Sequence, residues 1–216
     1  NAKNRDLILK LGHRKDKGYK YYVGVDPAIS TDGDYNVIMV LEVDDEKNKS
    51  IVHVDRSKNV QFRENIDKLR LIGQVFEPEV ILYETNTFAK AFTQELRAVS
   101  DLNVRDFDTT RRKKQEIILN LQMNFENNKL HLPYGDNNSR KMTQALLEEL
   151  SMFSITQSGK FEGVGAHDDL VMGLALANAA SQTPTEAFML LDDMELFDEP
   201  ETPLFEQNTG MIGLNF

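Results

Sequence analysis

Cysteine is absent from this sequence of 216 residues, and so is tryptophan. Without cysteine there can be no disulfide, no thiolate zinc site and no cysteine nucleophile, and the composition suits a reducing compartment. No apolar run approaches the ~20 residues needed to span a bilayer, which points away from a membrane partner. Residues Asn1–Arg5 carry neither an initiator methionine nor the apolar stretch of a signal peptide, so the chain reads as a piece of something longer. There is no Walker-type glycine loop, and no serine with a matching histidine and aspartate. Positive charge is also short: 25 Lys and Arg stand against 35 Asp and Glu, a net charge of −10.

That deficit is uneven, and its distribution suggests three regions. The first, residues 1–20, is basic, with Lys3, Arg5, Lys10, Arg14, Lys15, Lys17 and Lys20 against Asp6 and Asp16; it reads as a solvated linker or an arm that helps hold DNA. The last, residues 182–216, has eight acids and no Lys or Arg. Taking those eight from the 35 leaves 27 acids against 25 bases elsewhere, a net of only −2. The tail interleaves its acids with Phe188-Met189-Leu190-Leu191, Leu196-Phe197 and Leu204-Phe205, a pattern typical of partner-binding disordered segments. A folded domain is expected between, over residues 21–181, with about 40% of the whole sequence hydrophobic and enough for one core.

Within that domain, strands are expected at 21–26, 36–43, 50–56, 80–83, 104–107 and 129–132. Helices are expected at 61–76, 88–99, 112–125, 139–150 and 168–180, with a small hairpin around 153–161. The four apolar residues Val80 to Tyr83 are too continuous for a one-sided strand, so that strand should be central and buried. The last helix is apolar on nearly every side and should be buried too. A meander of three strands followed by alternating strands and helices gives a mixed α/β sheet flanked by helices.

Acids mark three ends of this pattern. Asp26 ends the first strand, Glu84 follows the 80–83 strand, and Asp168 and Asp169 open the last helix. Residues at strand ends lie where α/β sheets place ligands. Carboxylates brought together repel, and they remain ionised together only if cations bridge them. Hard oxygen donors favour magnesium or manganese, and two such ions can hydrolyse a phosphodiester. Taken singly, Asp26 before Pro27 also fits a turn, and Asp168 also fits a helix N-cap. Asp34 and His167 are auxiliary candidates, although Asp32 and Asp34 also suit a turn and His167 a cap. His53 and His131 are expected to pack within strands. Arg111, Arg112, Lys113 and Lys114 begin a helix, where cations oppose the dipole; contact with phosphate would offset that cost.

These residues resemble a known family. Val23-Gly24-Val25-Asp26-Pro27-Ala28 with Gly33-Asp34-Tyr35 is similar to the first nuclease motif of viral large terminase subunits. Ile81-Leu82-Tyr83-Glu84-Thr85-Asn86 is similar to the second motif, and the run from Ala166 to Ala177 to the third. The resemblance covers about 21–180. It implies the C-terminal nuclease domain of a tailed-bacteriophage packaging motor, with a ribonuclease-H-like, RuvC-type fold. It further implies two Mg2+ or Mn2+ ions held by Asp26, Glu84 and Asp169, with Asp168 supporting, and double-stranded DNA as substrate. An ATPase domain of the same full-length chain, the portal or procapsid, and the small terminase subunit would be its partners, in the host cytoplasm. Gly173 departs from what a helix interior favours and suggests close packing. Rival readings are a Holliday-junction resolvase, an actin-like ATPase half, and a non-catalytic binding module. The ATPase would need the phosphate loop that Asp26-Pro27-Ala28-Ile29 does not supply.

Overall fold

A computed structural model describes residues 18–28, 35–85, 89–155, 161–163 and 168–182. Six strands form one sheet: β1 (Lys20–Asp26), β2 (Asn36–Val43), β3 (Lys49–Ser57), β4 (Val80–Thr85), β5 (Val104–Asp108) and β6 (Leu130–His131). Their order is β5-β4-β1-β2-β3-β6. The β1–β2 and β2–β3 pairs are antiparallel, whereas β4 lies parallel to both β1 and β5. A separate two-stranded ribbon joins β7 (Phe153–Ile155) to β8 (Phe161–Gly163). The helices are α1 (Phe62–Phe76), α2 (Ala89–Val99), α3 (Arg111–Glu126), α4 (Asn137–Met152) and α5 (Asp169–Ala180). Among the described residues, no helix is long and apolar enough to cross a membrane.

Strand alternation sorts the core into two layers. Tyr21, Val23 and Val25 of β1, with Ile81 and Tyr83 of β4, meet Ile66, Leu69, Ile72 and Phe76 of α1 and Phe92 and Leu96 of α2. Val37, Met39 and Leu41 of β2 meet the opposite layer, formed by α5 with Ile117 and Leu121 of α3 and Leu146 of α4. Because successive side chains point to opposite faces, the residues between the first set on β1 and β4 face α5. They are Tyr22, Gly24 and Asp26 on one strand, and Leu82 and Glu84 on the other. All of α5 except Ala179 is buried, as its uniformly apolar composition requires.

Three expectations need adjustment. The β4 strand runs on through Glu84 to Thr85, because pairing with β5 continues to Thr85 opposite Asp108; Glu84 is therefore inside the strand rather than after it. Helix α4 starts two residues early. Its first turn is fastened by Asp136, whose carboxylate accepts from the Ser139 N–H at 2.7 Å while the Ser139 hydroxyl accepts from the Asp136 N–H at 2.9 Å. His131 is exposed, since β6 is a two-residue strand at the edge of the sheet, whereas His53 is buried near the Phe76 ring as expected. The foot of α5 is held by a polar chain that its sequence pattern does not announce. Lys49 Nζ donates to Asn178 Oδ1 at 2.6 Å, and Asn178 Nδ2 donates to Asn120 Oδ1 at 3.0 Å.

Candidate metal centre

The parallel register aligns Val25 with Tyr83, so the next residues, Asp26 and Glu84, stand side by side on the face that α5 covers. The distance between α5 and the sheet is set by two glycines. A Cβ on Gly24 would stand 2.3 Å from both the Ala177 nitrogen and the Gly173 oxygen. A Cβ on Gly173 would stand 2.6 Å from Val37 Cγ1. Close packing is thus the reason for Gly173. Asp26 lies beyond Gly24 on the strand and Asp169 before Gly173 on the helix, and the charge of Asp169 acts on Asp26.

The electrostatics of Asp26 involve the same acids. Asp26 is only half-buried as a residue, yet its carboxyl is desolvated. Burial, then the charge and hydrogen bond of Glu84, then the charges of Asp169 and Asp168 push it well above its ordinary value of 3.8. The charges of Glu84, Asp169 and Asp168 thus all bear on the Asp26 carboxyl. Burial and the charge of Asp26 likewise push the Tyr83 hydroxyl up, although a hydrogen bond with Asn65 opposes this. Among the described residues, no three His, Cys, Asp or Glu side chains are placed so that together they could hold a metal ion. The donor set fits a hard divalent ion in charge and chemistry, and full coordination requires those carboxylates to turn towards it.

Each acid has its own support. Glu84 Oε1 accepts a hydrogen bond from the Thr109 hydroxyl. Asp169 Oδ2 accepts from the Tyr35 N–H at 3.3 Å. Asp168 occupies the N-cap position of α5 without making a capping bond, and instead pairs with Lys114 Nζ at 2.9 Å. Arg111, Arg112 and Lys113 are exposed on the first turn of α3, near the same end of the sheet, with Lys113 Nζ 5.7 Å from the Phe107 ring centroid. Asp34, Asp32 and His167 lie outside the described residues, as do most of the basic arm and nearly all of the acidic tail.

Sequence reasoning missed the group that fixes the start of α5. Glu149, buried on α4, accepts from the Leu170 N–H at 2.8 Å and the Val171 N–H at 3.4 Å. Arg56 pairs with its other oxygen at 2.7 Å and stacks 4.0 Å over the Tyr35 ring. A capping carboxylate from another helix leaves no local signature, which is why the sequence is silent. Glu149→Gln should weaken this charged cap and leave Arg56 without its counter-charge. The expected destabilisation is about 2 kcal/mol or more, readable by urea unfolding. A change near zero would show that the cap does not hold the helix.

Comparison with known families finds no match to the sequence, and comparison with curated proteins finds none. Solved structures do match. The large terminase nuclease of thermophilic phage G20c with bound magnesium is 23% identical, with a TM-score of 0.62, over 77% of this chain and 84% of that one. The chain has the fold of a phage terminase nuclease. The same nuclease with bound cobalt gives the same values. The large terminase of bacteriophage HK97 superposes with a TM-score of 0.58 at 11% identity, over 82% of this chain and 43% of that one. Among the described residues the mixed six-stranded sheet flanked by helices agrees with the α/β architecture expected from the sequence.

Proposed function

We propose that this chain is the endonuclease domain of a DNA-packaging terminase and hydrolyses phosphodiesters of double-stranded DNA with two divalent ions. The observation that carries this reading is the placement of Asp26 and Glu84 on neighbouring parallel strands beneath the first turn of α5, which bears Asp168 and Asp169. Asp26, Glu84 and Asp169 would hold Mg2+ or Mn2+, with Asp168 supporting them. The ions would supply activation of the attacking water and stabilisation of the leaving oxygen. The protein's own part is positional: Thr109 orients Glu84 and the Tyr35 amide orients Asp169. Arg111, Arg112, Lys113 and Lys114 would contact phosphates, so binding should be largely independent of sequence and should weaken steeply with salt. Asp34 and His167 remain candidates for auxiliary roles.

The same reading assigns residues 1–20 to a basic arm, 21–181 to the nuclease and 182–216 to an acidic tail that docks a partner. An ATPase domain of the full-length chain, the portal or procapsid and the small terminase subunit are the partners it implies, in the host cytoplasm. The test is plasmid DNA incubated with the protein and Mg2+ or Mn2+, without ATP. Nicking and linearisation that EDTA stops are expected. Cleavage that persists in EDTA, or no cleavage with either ion, would overturn the metal-nuclease reading.

A further inference from the structure

Helix α3 begins with four consecutive cations, which the helix dipole disfavours. One of them is unlike the rest. Arg111, Arg112 and Lys113 are exposed, whereas Lys114 is half-buried and its ammonium lies 2.9 Å from Asp168, beside the acid set. Asp168 sits where a helix-capping side chain would, yet it makes no capping bond, so its carboxylate is directed to Lys114. The loop before α3 reaches the other side of the same set through Thr109 and Glu84. One segment, Thr109–Lys114, thus touches the acids at two points, and at the second it supplies positive charge.

We propose that Lys114 is a tethered cation that a divalent ion displaces from Asp168, and that the displaced ammonium then binds the DNA phosphate beside the cleaved bond. The inference rests on the metal-nuclease reading. A divalent ion among Asp26, Glu84 and Asp169 repels an ammonium at Asp168 and competes for the same negative charge. The four-carbon stem of lysine lets the head swing away without moving the helix. The other cations on the first turn of α3 mark the direction in which DNA would lie. Metal loading and phosphate binding are thereby coupled: the site gives up its internal counter-ion as it gains the external one.

The experiment titrates Mn2+ into the full chain by calorimetry, without DNA, and compares Lys114→Met, Lys114→Gln and Lys114→Arg with the unmodified protein. Exposed Lys141→Met on α4 controls for the loss of one charge. Both neutral variants should bind Mn2+ about fivefold more tightly, because a competing cation has gone. At saturating Mn2+ they should cut plasmid about tenfold more slowly, because the phosphate contact has gone. Lys114→Arg should stay near the unmodified protein in both assays, and Lys141→Met should change neither. Opposite shifts in the two assays are not what a merely structural lysine would give. Unchanged or weaker Mn2+ binding in both neutral variants would overturn displacement, and undiminished cleavage would overturn the phosphate contact. If the unmodified protein binds no Mn2+, the metal-nuclease reading itself fails and takes this inference with it.

Discussion

Asp26→Asn is expected to reduce metal-dependent DNA cleavage by about a thousandfold or more while making the metal-free protein more stable at neutral and alkaline pH. Glu84→Gln and Asp169→Asn should lose activity to a similar extent. The stability half of the prediction follows from the raised Asp26 carboxyl. Its folded-state value lies above its ordinary one, so the folded chain holds a proton that the unfolded chain has already released. The stability linked to that proton is fully present below the ordinary value and is lost as pH rises through the raised value. Asparagine stays neutral throughout, so the melting temperature of the variant should pull ahead of the unmodified protein as pH climbs. Thermal melts in EDTA from acid to alkaline pH measure this, with plasmid cleavage in Mn2+ measured in parallel. Metal binding should also release a proton, seen as a dependence of the calorimetric heat on buffer ionisation. Retained cleavage would remove Asp26 from the site. A variant less stable than the parent at alkaline pH would show that the acids do not strain one another.

Much of this arrangement was legible because it depends on period and position. Tyr21–Asp26 reads as a strand ending in an acid, the continuous run Val80–Tyr83 as a buried strand, and the all-round apolar 170–177 stretch as a covered helix. Once those elements are adjacent, the acids at their ends must meet. The fold likeness agrees with the fold that the three sequence motifs imply. What stayed illegible depends on side chains that meet across elements with no local pattern. Nothing near Glu149 says that it caps a helix twenty residues on, and nothing near Thr109 says that it bonds Glu84. The α3 cations signalled an electrostatic cost, but only the fold reveals that Asp168 offsets it at Lys114. The Glu84 boundary was missed for a similar reason, since the strand is extended by a partner, β5, rather than by its own apolar residues.

Gly24 is the position where one added methyl group should do most harm. It sits mid-strand, where glycine lacks the packing of a side chain and weakens the strand, so its presence needs a cause. The cause is α5. A Cβ there would meet the Ala177 nitrogen and Gly173 oxygen at 2.3 Å and the Ala177 Cα at 2.9 Å. All three are backbone atoms of a buried helix held at both ends, by Glu149 above and by the Lys49–Asn178–Asn120 chain below, so none can rotate aside. Gly24→Ala should therefore push α5 off the sheet and destabilise the domain by about 3 kcal/mol or more, at the upper end of overpacking effects. Gly173→Ala makes a useful contrast, because its 2.6 Å contact is with a side-chain methyl of Val37. It should cost about 1–2 kcal/mol, and Val37→Ala in the same chain should recover part of that loss. Gly24→Ala has no such partner to trim. Any folded fraction should also bind Mn2+ more weakly, since a displaced α5 carries Asp169 away from Asp26. Urea unfolding of both single variants and of the Gly173–Val37 pair measures these effects. Gly24→Ala unfolding at the same urea concentration as its parent would show that the helix is not seated where these contacts put it, and that another feature sets the separation of Asp26 and Asp169.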